Sequence, residues 1–134
     1  MVLPDPAVGA KIPAAWGAAA ILPVQDTSIG TSIAGFTVVS QILDTALDGR
    51  LVTFALTITV TAGLTAASGN VTDTTVFTLS SDYWPDFEVG APFFGNVGGM
   101  AYVQTDGDIR LANASDSIGA GQNITISSTY LRGA

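Results

Sequence analysis

The ten residues Leu51–Val60 read LVTFALTITV, and their alternation decides the fold class. Val52, Phe54, Leu56, Ile58 and Val60 take turns with Thr53, Ala55, Thr57 and Thr59, so a period of two puts every apolar side chain on one face and the hydroxyls on the other. That is a half-buried β-strand. On its amino-terminal side, Asp48-Gly49 separates it from a second run, Phe36 to Leu43, and Gly supplies the positive φ that a tight reversal needs, so a hairpin is expected.

Toward the carboxyl terminus the same texture repeats. Ser68, Gly69 and Asn70 make a turn into a strand over Val71 to Leu79, which stops at Ser80-Ser81-Asp82. Pro85 keeps Trp84 extended and cannot donate to a ladder. After a loop over Asp86 to Gly99, strands over Met100 to Thr105 and Asp108 to Ala112 flank Asp106-Gly107, a strong hairpin signal, and a closing strand runs from Gln122 to Leu131. Strands spaced by roughly ten residues with short turns predict an all-β, antiparallel β-sandwich, jelly-roll-like, as a single domain over residues 26–134.

Residues Met1 to Gln25 read differently. They hold four of the six prolines and an Ala-rich patch around Trp16, without alternation. A helix beginning at Pro13 would be confined by Gly17 and Pro23 to about two turns, so the segment is expected to be an extended arm over residues 1–25. Its apolar residues Ile12, Trp16, Ile21 and Leu22 need a surface to cover and are the candidate partner-docking set. The apolar run Ala14 to Leu22 is too short to span a bilayer, and no basic region precedes it, so no membrane role is expected.

The 134 residues are 48% hydrophobic and only 11% charged, which excludes disorder and leaves little charge to solvate a small monomer. Burial of surface in an assembly is expected, and a chain with no Cys has no disulfide to supply stability instead. A net charge of −7, with Lys11, Arg50, Arg110 and Arg132 as the only cations, offers no basic stripe for phosphates, so no nucleic-acid partner is expected. The chain has no His, which removes Ser-His-Asp and Cys-His catalysis and the usual histidine metal sites.

The remaining chemistry is sparse. Asp106-Gly107-Asp108 could open a calcium loop, but Arg110 and Leu111 follow and no Glu closes it, so a turn is the favoured reading. Asp82, Asp86 and Glu88 surround Tyr83, Trp84 and Phe87, and carboxylates beside aromatics equip both glycoside hydrolysis and sugar binding. One segment cannot place two carboxylates across a substrate, so an aromatic plug of the core is favoured; Tyr83, Trp84, Asp86 and Phe87 stand as a candidate ligand-facing loop. Asn70-Val71-Thr72, Asn113-Ala114-Ser115 and Asn123-Ile124-Thr125 match the glycosylation pattern but suit β-turn composition equally. Gly98-Gly99 and Gly119-Ala120-Gly121 lack the strand-then-helix setting of phosphate loops. No catalytic residue, cofactor or metal site is expected, and the chain is not expected to be an enzyme.

Over roughly Val71 to Tyr130 the chain resembles small β-sandwich domains of bacteriophage virion proteins, those of tail-fibre ends and baseplates. The likeness rests on Val76-Phe77-Thr78-Leu79, the passage Tyr83-Trp84-Pro85, the Asp106-Gly107 hairpin, and Ile124-Thr125-Ile126 with Tyr130. Ser80-Ser81 replaces the Pro and Gly of the commoner Leu-Pro-x-Gly form. Leu3-Pro4-Asp5-Pro6-Ala7-Val8-Gly9 similarly resembles the amino termini of actinobacterial phage tail and minor structural proteins. The resemblance implies a non-enzymatic homotrimer on the virion exterior, a minor tail or tail-tip component involved in host attachment, with capsid decoration as the alternative. It implies other virion proteins as partners of the arm and a host surface glycan as a further candidate partner. A free-standing carbohydrate-binding module is the reading from a different class.

Overall fold

The structure is a computed structural model that describes residues 24–133. The strands are β1 (Val24–Asp26), β2 (Gly30–Ser32), β3 (Phe36–Ala46), β4 (Leu51–Val60), β5 (Ala66–Ala67), β6 (Asn70–Leu79), β7 (Val89–Gly95), β8 (Gly99–Val103), β9 (Asp108–Ala114) and β10 (Asn123–Leu131). A single 3₁₀ turn, Ser81–Tyr83, interrupts them. All pairings are antiparallel, and nine strands follow one another in the order β1-β3-β4-β10-β7-β8-β9-β6-β2, with β5 paired to β6 alone. The chain is thus all-β, a curled antiparallel sheet of sandwich-like form.

Alternation along β4 is carried out as written. Val52, Phe54, Leu56, Ile58 and Val60 are buried while Thr53 is exposed and Ala55, Thr57 and Thr59 are half-exposed. The same rule holds on β10, where Ile124, Ile126 and Tyr130 point inward against β4. The resulting core is uniformly apolar: among the described residues no polar or charged side chain is buried.

The turns follow the local chemistry. Ser68 and Gly69 both take positive φ, 53° and 78°, between the paired residues Ala67 and Asn70, which is the twist a two-residue hairpin requires. Gly107 (φ 85°) closes the β8–β9 hairpin, where Asp106 accepts the Asp108 backbone N–H at 3.1 Å.

Two parts of the sequence reading are corrected. The stretch Asp86 to Gly99, expected to be a loop, contains β7, which lies between β10 and β8. Pro92 and the glycines at 90 and 95 hide it, because prolines are rare in central strands. The register explains the exception: the β10–β7 ladder ends at Ile126 and Phe93, so Pro92 sits where only β8 remains as a partner. The second correction concerns the start of the domain. Strand structure was expected from Phe36 and the domain boundary at residue 26, whereas β1 already pairs Val24, Gln25 and Asp26 with Thr45, Asp44 and Leu43 of β3.

Those first two strands stitch the sheet shut. β1 lies at one end of the strand order and β2 at the other, so Thr27–Ile29 carries the chain between the two ends. Ile29 is fully buried there; its N–H donates to the Gln41 Oε1 at 2.7 Å and its carbonyl accepts the Ser80 N–H at 2.8 Å.

Candidate functional site

The segment from Ser80 to Glu88 is the crossover from β6 to β7, and since β9 and β8 lie between those strands it spans one end of the curled sheet. Its aromatic residues are held by their polar atoms. The Tyr83 hydroxyl donates to the Asp26 Oδ2 at 2.5 Å, tying the crossover to β1. The Trp84 indole N–H donates to the Leu79 carbonyl at 2.9 Å, and the ring lies against Gly107 so closely that a Cβ there would collide with it. From β10, the Tyr130 hydroxyl donates to the Tyr83 carbonyl. Pro85, next in the chain, is buried.

Two of the crossover's three carboxylates are engaged too, Asp82 being exposed. Asp86 accepts the Gly133 backbone N–H, and Glu88 Oε2 accepts from the Gln104 side-chain amide at 2.6 Å. The bond from Tyr83 holds the Asp26 carboxyl below the usual range, helped by the Ser28 N–H. Burial, and then the same Asp26 bond, pushes the Tyr83 hydroxyl up to about 12, and burial raises Tyr130 as well. These are the marks of a structural clasp.

Of the four candidate ligand-facing residues, Tyr83, Trp84 and Asp86 therefore turn their polar groups to the fold itself. Phe87 does not: it is 78% exposed. Trp84 leaves part of its ring open at 38%. The Asp106–Asp108 candidate is likewise spent locally, because Asp108 Oδ1 accepts from the Thr78 hydroxyl at 2.8 Å and Oδ2 lies 3.7 Å from the Arg110 guanidinium. Among the described residues no group of three or more carboxylates comes together that could hold a metal ion, and no helix is long and apolar enough to cross a membrane. Ile12, Trp16, Ile21 and Leu22 lie outside the described residues.

A second surface emerges only from the register. On the outer face of β3, β4 and β10, Asp44 is the sole charged residue, and β4, β7 and β10 carry none at all. Its hydroxyls pair across strands: Thr53 with Thr129 at 3.1 Å, Thr57 with Thr125 at 2.8 Å, and Thr59 donating to Asn123 Oδ1 at 2.6 Å. Around these lie Ile42 opposite Ala55, Phe94 opposite Thr125, and Leu131 opposite Leu51, with Phe94 and Leu131 more than 60% exposed. The hydroxyl face of β4 was legible in its Thr residues; that β10 extends it was not, because the two strands are about seventy positions apart in sequence and their neighbourhood is a property of topology. In comparison with known proteins, no family model matches the chain and no curated protein matches it in sequence.

Proposed function

We propose that this chain is a non-catalytic structural module that works by assembling with copies of itself, as a homotrimeric component of a virion exterior. The observation that carries the assembly reading is that a chain only 11% charged and 48% hydrophobic leaves Val24, Val39, Phe87, Phe94 and Leu131 more than half exposed. The engagement of Asp86, Glu88 and Asp108 with groups of the fold supports a role without catalysis, since a carboxylate pair for hydrolysis must be free to face a substrate. The virion reading rests on the sequence resemblance described above. Within it a minor tail or tail-tip role comes first and capsid decoration second, with Ile12, Trp16, Ile21 and Leu22 of the arm docking on a neighbouring protein.

Light scattering on the full chain at micromolar concentration tests the assembly reading. A trimer mass is expected; a monomer at every concentration overturns it. The exposed Phe87 beside the partly open Trp84 favours one second reading, a carbohydrate-binding module. That reading predicts retention of the monomer on a polysaccharide column and loss of retention in Phe87→Ala.

A further inference from the structure

We infer that the surface through which copies meet is the outer face of β3, β4 and β10, and that its occupant is a second copy of this chain. The inference rests on the assembly reading and adds the location of the contact.

Charge selects this face. Each copy carries −7, so two copies approaching through most of their surface would set carboxylate against carboxylate, which costs free energy and slows encounter. Loops and strands elsewhere bear Asp73, Asp82, Asp86, Glu88, Asp106, Asp108 and Asp116, whereas on the strands of this face Asp44 stands alone near the end where β1 joins, with Asp48, Arg50 and Arg132 just beyond that end. A basic partner would find little here to pair with, so an uncharged surface suits a like partner better, with one half of the face meeting each neighbour around the three-fold axis.

Desolvation also favours it. The Thr53, Thr57 and Thr59 hydroxyls already bond to Thr129, Thr125 and Asn123, so part of the hydrogen bonding of this face survives the removal of water, and one hydroxyl proton of each Thr pair is left to bond across the contact. Ile42, Phe94 and Leu131 gain from being covered. Size is adequate as well. Strands of nine to eleven residues rise about 3.3 Å per residue and lie about 4.8 Å apart, so β3, β4 and β10 cover roughly 14 by 30 Å, and the shorter β1 and β7 at the rims bring the footprint to about 600 Å². That lies at the lower end of the roughly 600–1,000 Å² per partner of a standard interface.

Because the chain contains no Cys, single cysteines report on the contact without background. Thr57→Cys and Ser127→Cys sit at the centre of the face, and Thr72→Cys, exposed on β6, serves as the reference. In the assembled protein the first two thiols are expected to react with a maleimide at least tenfold more slowly than the third, and to join copies covalently with a short bis-maleimide. Thr57→Asp is expected to give a folded monomer by circular dichroism and light scattering. If the full chain assembles but Thr57→Cys and Ser127→Cys label as fast as Thr72→Cys, copies meet elsewhere and the inference fails while the assembly reading stands. If the full chain is a monomer, the assembly reading fails and the face with it.

Discussion

Tyr83 shows how a single residue fixes the behaviour of the crossover. Its hydroxyl is bonded to Asp26 and its carbonyl to Tyr130, so it links the first strand, the crossover and the last strand. The two titrations pull in opposite directions. Asp26 has its carboxyl lowered by folding, so its contribution is present above about pH 4 and is lost as the pH falls through the depressed value. Tyr83 is raised from 10.0 to about 12, so its contribution is whole below about pH 10 and is lost between about 10 and 12, where only the unfolded chain releases the proton. Denaturant unfolding measured at pH 7 and pH 11 is expected to show lower stability at pH 11, with a smaller loss in Tyr83→Phe. An unchanged alkaline profile in that variant would remove the clasp from the account. Gly107 offers a second test at this scale, because φ 85° and the adjoining Trp84 ring both oppose a side chain. Gly107→Ala is expected to cost about 1–3 kcal/mol and to shift the Trp84 emission as the ring is displaced. The clustering of aromatics and carboxylates was readable in Tyr83-Trp84-Pro85-Asp86; the direction of their polar groups was not, since it depends on Leu79, Gln104, Tyr130 and Gly133 meeting them in space.

Among the elements, those with strong alternation were legible, and those defined by their neighbours were not. β4 has the bounds its pattern announces, and β6, β9 and β10 lie within two residues of theirs. β1 and β2 have three residues each, Val-Gln-Asp and Gly-Thr-Ser, too short for a period and too polar for an apolar run. They exist because β3 and β6 present ladder edges to them. This moves the expected boundary of the arm. Deletion of residues 1–23 is expected to leave a folded β protein by circular dichroism, whereas deletion through residue 35 removes the stitch at Ile29 and lowers stability by several kcal/mol. An unfolded product of the shorter deletion would make the arm part of the core.

At the scale of the whole molecule the fold class followed from periodicity, but the order of the strands did not. Non-sequential neighbours such as β4 with β10 and β6 with β9 create both the closed core and the broad uncharged face. Composition had pointed to a buried surface without saying where it lies. The central claim is that copies of an acidic chain associate through the side that lacks charge, and sedimentation equilibrium across a salt series tests it most directly. Salt screens the repulsion between net charges of −7 and leaves an uncharged contact intact, so association is expected to hold or tighten from about 0.05 to 0.5 M salt. Dissociation of the assembly as salt rises would mean that ion pairs hold it together, and would contradict the account.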